Sequence, residues 1–236
     1  MKTGFMSLDL IMKTLSQLPR MTVIVPFFRG ESLLHPKFAE IMQELSKFDV
    51  VQLASNGDFL PNKKIRKAIL DNCSFFSLSL HEFILPKETP HLRFFYEATG
   101  KLTTQVSILD KYLPEKYKKL FIHRWRNHVD RVRIYKEHSQ HGFGSMGTVT
   151  NRRCSKPFEE MVVYWNGEVG LCNHDWNCGV NLGDLNTQSI CEVWNGEPYK
   201  RVRMLQRKQI ITCRDCSFES NKVYGEIIDG RSNRKK

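Results

Sequence analysis

The chain has no apolar run long enough to cross a bilayer, and Asp9 and Lys13 interrupt its first hydrophobic stretch. It therefore reads as neither a membrane protein nor an exported one. It is poor in acid, with 25 Asp and Glu against 36 Lys and Arg, for a formal charge of +11. That balance favours anionic partners. Yet no repeat interleaves basic with aromatic residues as single-strand binders do, so a solvated basic surface is the simpler reading and nucleic acid is not expected as a partner. Cysteine is almost missing from the first two thirds, where Cys73 stands alone; the other six of the seven follow residue 153. An odd number of thiols without an export signal points to a reduced, cytoplasmic chain in which cysteines bind metal rather than pair.

At 236 residues and 41% hydrophobic, the chain can bury one large core or two small ones. Residues 1–137 alternate helical and strand patterns. Leu8, Ile11, Met12, Leu15 and Leu18 share a helical face behind a Ser7 N-cap. Short apolar strands are expected at Thr22–Val25, Val50–Leu53, Phe75–Leu80, Thr104–Ile108 and Val132–Tyr135, separated by helices. About five strands alternating with helices imply a parallel sheet, with the chemistry in the loops after the strands. Residues 138–151 are glycine-rich and aperiodic and read as a linker. A small cysteine-rich domain is expected over 152–220, followed by a frayed basic tail over 221–236.

In that domain Met161–Trp165 and Glu168–Cys172 flank Asn166-Gly167, a strong hairpin signal. Cys213-Arg214-Asp215-Cys216 is a C-x-x-C, whose turn aims two sulfurs at one point. Cys172, delivered by the hairpin, and Cys154 complete a four-thiolate set, which selects zinc or an iron–sulfur cluster. Cys178 and Cys191 compete as ligands, but Cys191 lies in a helix beside Ile190 and Val193 and reads as a buried, inert thiol. A hairpin and two short helices make little core, so a metal staple is physically expected.

The segment Cys154-Ser-Lys-Pro157-Phe158, Tyr164-Trp-Asn-Gly167, Cys172-Asn-His-Asp175, Leu182-Gly183-Asp184-Leu185, Ser189-Ile190-Cys-Glu-Val-Trp194 and Cys213-Arg-Asp-Cys216 resembles a SPASM domain. That is the auxiliary iron–sulfur domain of many radical S-adenosylmethionine (radical SAM) enzymes. The stretch from Phe5 to Tyr135 resembles the partial β/α barrel of the same enzymes. Phe28-Arg-Gly30-Glu31 is similar to their Gly-Glu-Pro loop, Ser55-Asn56-Gly57 to their Thr-Asn-Gly turn, and Phe76-Ser-Leu-Ser79 to their fourth-strand segment. The resemblance implies one auxiliary 4Fe–4S cluster on Cys154, Cys172, Cys213 and Cys216, with no second site because no cysteine follows Cys216. It assigns Gly30, Glu31, Asn56 and Ser79 to S-adenosylmethionine. It implies a peptide, protein or small-molecule substrate, and a reductant such as flavodoxin or ferredoxin.

The departures are as telling. The family's C-x-x-x-C-x-x-C, which holds the catalytic cluster, is absent, and Lys2-Thr3-Gly4-Phe5-Met6 resembles the segment that normally follows it. Ser32 replaces the proline of the Gly-Glu-Pro loop. The expectation is an incomplete radical SAM-type barrel of about five parallel strands followed by a SPASM domain, with this chain alone inactive in radical generation. Two alternatives stay open: a non-catalytic electron-transfer or binding module, and a zinc-stapled basic nucleic-acid-binding protein.

Overall fold

A computed structural model describes residues 4–89, 91–136, 154–175, 178–205, 209–214, 216, 218 and 225–231. The 138–151 linker assignment therefore lies outside the described residues. The chain forms two compact units, each built from two separate stretches. Residues Pro19–Glu137 and Tyr224–Lys236 make one; Met1–Leu18 and His138–Val223 make the other.

The larger unit is an open sheet. Its strands are β1 (Val23–Ile24), β2 (Val50–Ser55), β3 (Phe75–Leu80), β4 (Thr103–Leu109) and β5 (Arg131–Tyr135). They are parallel and adjacent in chain order. Helices α2 (Phe38–Leu45), α3 (Lys63–Asn72), α4 (Leu92–Glu97) and α5 (Glu115–Trp125) connect successive strands, as parallel pairing requires. Asn62 caps α3 by accepting from the Lys64 and Ile65 amides. The sheet does not close into a barrel.

The two faces of the sheet differ because side chains alternate along each strand. Val51, Leu53, Phe76, Leu78, Val106, Ile108, Val132 and Ile134 are buried on one face. There Phe76 meets Phe94 of α4 at 4.7 Å, and Phe95 packs edge-on against Trp125 of α5. The other face is polar. Ser77 donates to Ser107 at 3.2 Å, Gln105 donates to Ser77 at 3.1 Å, and Ser79 lies 3.4 Å from Ser107.

The reading of 221–236 as a frayed basic tail differs from the structure. Glu226–Asp229 forms a strand, β9, antiparallel to β5. Its four residues, Glu226-Ile-Ile-Asp229, are too few to show a period, but an edge strand needs only backbone pairing on one side. Arg231 anchors it: the guanidinium donates to the Phe95 carbonyl at 3.0 Å, to Thr104 Oγ1 at 3.3 Å and to Asp130 at 3.4 Å. Among the described residues no helix is long and apolar enough to cross a membrane.

The smaller unit contains α1 (Leu8–Leu15), α6 (Lys156–Glu159), a three-stranded antiparallel sheet of β6 (Val162–Val163), β7 (Glu168–Gly170) and β8 (Asn181–Asp184), and α7 (Ile190–Trp194) and α8 (Glu197–Met204). Ser7 caps α1, as expected, by accepting from the Leu10 amide. Leu10, outside the expected apolar stripe, is the buried residue of that helix. It joins Val169, Leu171, Leu182, Leu185, Val193 and Tyr199 in the unit's core. Lys13 holds α1 there by donating to the carbonyls of Leu185 and Asn186.

The Arg231 clamp gives a direct test of β9. Arg231→Ala removes three donors from a largely buried site and should lower stability by about 2 kcal/mol. Urea denaturation should show a lower midpoint at unchanged slope, whereas an unchanged midpoint would mean that β9 contributes nothing to the sheet.

Candidate metal centre

The four cysteines arrive from three local structures. The β6–β7 hairpin turns at Asn166-Gly167, where Gly167 has φ +92°, a left-handed conformation that glycine tolerates best. Val169 and Leu171 are buried after the turn, and Cys172, also buried, follows two residues past the end of β7. Cys154 lies just before α6 and is half-buried. Cys213 ends a short 3₁₀ turn, and the Cys216 amide donates to the Cys213 carbonyl at 3.3 Å, closing the C-x-x-C. Cys216 is buried and Cys213 half-buried.

The loop after Cys172 is built around a buried carboxylate. Asp175, 1% exposed, accepts from the amides of Gly179 at 2.8 Å and Val180 at 3.1 Å. The Tyr164 hydroxyl donates to the Asp175 carbonyl and accepts from the Cys178 amide. His174 is buried with its ring against Phe218. These bonds fix the chain so that the His174 and Asp175 amides face the Cys172 sulfur.

Cys154, Cys172 and Cys213 line one cavity, whose walls are apolar at Leu171, Val202 and Ile210 and carry two cations, Lys156 and Arg203. Burial pushes the Cys172 thiol up to about 12. The two amides pull it back down, while Cys213 and Cys154 push it further up. A thiolate at this position therefore needs a cation beside it, which is what a bound metal supplies.

One observation bears on whether the residues fit an iron–sulfur cluster. Among the described residues, buried donors of this unit lack acceptors: the Tyr199 hydroxyl, the Thr212 hydroxyl beside Cys213, and Nη2 of Arg203, which lines the cavity. Buried polar atoms ordinarily have partners, and sulfide and thiolate sulfurs are acceptors. The residues fit the cluster.

The other cysteines sit apart from the cavity wall. Cys178 is half-buried with φ +49°, and burial, then Asp175 and Glu168, raises its thiol to about 11. Cys191, expected as a buried thiol, is exposed. In α7 the inward residue is Val193, and Cys191 lies on another side of so short a helix, where Asn195 Nδ2 reaches its sulfur at 3.4 Å. Cys73, at the end of α3, is buried, and burial raises it to about 12.

In the larger unit, the residues assigned to a cofactor lie at the C-terminal ends of parallel strands. Gly30 has φ +81°, and nothing lies within 4 Å of the side chain it lacks. One Glu31 oxygen accepts from the Leu33 amide at 3.0 Å and the other from the Asn56 amide at 3.1 Å. The structure thus joins the loops after β1 and β2 through one carboxylate. Asn56 folds back on Asp58, accepting from its amide and donating to its carboxylate. Ser79 belongs to the polar face around Ser107. Ser32 donates to the Pro26 carbonyl at 2.7 Å.

Sequence reasoning singled out the thiols and missed the donors around them. Tyr199 and Arg203, four residues apart on α8, give no motif signal beyond helical spacing.

Residues 154–217 match the SPASM family, described as an iron-sulfur cluster-binding domain. The whole chain is similar in fold to the crystal structure of BtrN in complex with AdoMet and 2-DOIA, at TM-score 0.66 and 17% identity over 96% of this chain and 87% of that one. It is also similar to SeMet BtrN in an open conformation, at TM-score 0.59 and 19% identity over 91% and 81%. At these identities the likeness concerns fold. No curated protein matches significantly.

Iron content checks the ligand set. Cys213→Ala or Cys216→Ala should lose most of the iron held after anaerobic reconstitution, and Cys191→Ala should keep it. Full retention in the first two variants would remove the C-x-x-C from the site.

Proposed function

We propose, for a chain that carries a SPASM domain over residues 154–217, that Cys154, Cys172, Cys213 and Cys216 hold one 4Fe–4S cluster and that this cluster is a redox or binding centre of a radical SAM-type protein. The observation that carries the proposal is the convergence of Cys154, Cys172 and Cys213 on one mainly apolar cavity, with Cys216 tied to Cys213 by its turn. When bound, the cluster supplies one-electron chemistry; the protein supplies position and potential.

In this reading S-adenosylmethionine belongs at the ends of β1, β2 and β3. Gly30 leaves room for the ligand to approach the backbone, and Glu31 offers a carboxylate to its ammonium. Each Glu31 oxygen accepts from one backbone amide and retains a lone pair for a further donor. Asn56 and Ser79 add polar groups at neighbouring strand ends. The fold likeness to BtrN, whose crystal structure contains AdoMet, supports that placement. The substrate would be a peptide, protein or small molecule, and the electron donor a flavodoxin or ferredoxin in the cytoplasm.

No C-x-x-x-C-x-x-C occurs among the 236 residues, so this chain supplies no cysteine triad for a catalytic cluster. Reconstituted under anaerobic conditions, it should hold about four irons and four sulfides, because four thiolates ligate a cubane. With dithionite and S-adenosylmethionine it should make no 5′-deoxyadenosine above a protein-free blank. Stoichiometric zinc without iron would contradict the cluster, and 5′-deoxyadenosine production would contradict the inactivity of this chain in radical generation.

A further inference from the structure

Two cations line the cysteine cavity. Lys156 is paired with Glu160 at 2.8 Å. Arg203 is different. Its Nε donates to the Pro157 carbonyl at 2.9 Å and its Nη1 to the Trp194 carbonyl at 2.8 Å. Its guanidinium carbon lies 4.3 Å from the Trp194 ring centroid, 4.7 Å from that of Tyr199 and 5.8 Å from that of Phe158. The group is thus held on several sides, yet among the described residues no carboxylate pairs with it. Its Nη2 is buried without an acceptor. Tyr199 is fully buried, with its hydroxyl also lacking an acceptor among the described residues, and Arg203, then Glu160, then Cys172 act on it electrostatically.

An uncompensated guanidinium in a poorly solvated wall is unfavourable unless an anion faces it. The rings and carbonyls around Arg203 stabilise it only in part. Four thiolates around an oxidised 4Fe–4S core carry two net negative charges, and reduction adds a third. A fixed cation beside them stabilises the reduced state more than the oxidised one. So does an O–H directed at a sulfur, because the acceptor gains charge.

We propose that Arg203, assisted by the Tyr199 hydroxyl, is the built-in counter-ion of the cysteine-held cluster and sets its reduction potential upward. The inference rests on the cluster assignment made above. It concerns the one-electron couple that such a cluster would have, with no bond formed or broken in the protein and no proton required from Arg203.

The test is redox potentiometry of the full-length, anaerobically reconstituted protein, with dithionite as the one-electron donor and iron content measured on the same samples. Arg203→Gln should move the midpoint to more negative potential by at least the equivalent of a tenfold change in the reduced-to-oxidised ratio, 59 mV for one electron. Arg203→Lys, which keeps the charge, should shift less than Arg203→Gln. Tyr199→Phe should shift in the same direction as Arg203→Gln at full iron content. If Arg203→Gln fails to hold iron, Arg203→Lys and Tyr199→Phe decide, each against wild type. Wild-type protein without iron would overturn the cluster assignment. Wild-type iron with unchanged midpoints in the iron-holding variants would overturn the role of Arg203 and Tyr199 alone.

Discussion

The convergence of Cys154, Cys172 and Cys213 on one cavity, with Cys216 tied to Cys213 by the C-x-x-C turn, is the constraint on which our account of the C-terminal unit depends. Its strands are two to four residues long and its helices four to eight. Elements this short do not persist by their own propensity. Their core is one layer of Leu10, Val169, Leu171, Leu182, Leu185, Val193, Tyr199 and Val202, and Cys172 is itself a member. Covalent ligation of a cluster by Cys154, Cys172, Cys213 and Cys216 would tie the start, middle and end of that layer together, so that metal binding and folding share one free energy. The local bonds around Asp175 and the C-x-x-C turn arrange the ligands beforehand.

That constraint also shapes the electrostatics. A cavity walled by Leu171, Val202 and Ile210 holds Cys172 far above its ordinary range, so the same burial that disfavours a lone thiolate strengthens its bond to a metal. The buried donors follow the same logic. The Tyr199 and Thr212 hydroxyls and the Arg203 guanidinium would each be a defect in an apolar core, and each would be matched by the sulfur-rich anion that the proposed cluster supplies.

Much of the fold was legible because its signals are local and periodic. The five parallel strands and intervening helices, the Asn166-Gly167 hairpin, the Ser7 and Asn62 caps and the C-x-x-C all follow from residue spacing. What escaped depends on contacts distant in sequence. Glu226–Asp229 is a four-residue stretch between glycines, too short to show a period, and only pairing with Arg131–Ile134 makes it a strand. Leu10 lies off the expected stripe of α1 because the helix packs in the C-terminal unit, whose demands are not written in residues 8–15. Asn181–Asp184 carries no strand signature and is defined by its pairing with β7. Cys191 was misplaced by its apolar neighbours, since a five-residue helix turns only one side inward. At the candidate site the thiols could be read directly, whereas Tyr199 and Arg203 acquire meaning only when α8 is set against the cavity.

The central claim is that the cysteine-held cluster organises residues 154–216 while the sheet stands without it. Hydrogen–deuterium exchange of the full chain, with iron loaded and with iron removed by chelation, tests it most directly. The account predicts that iron removal lowers protection across β6, β7, β8 and α8 and leaves β2 to β5 nearly unchanged. Equal protection of the C-terminal unit with and without iron would contradict it.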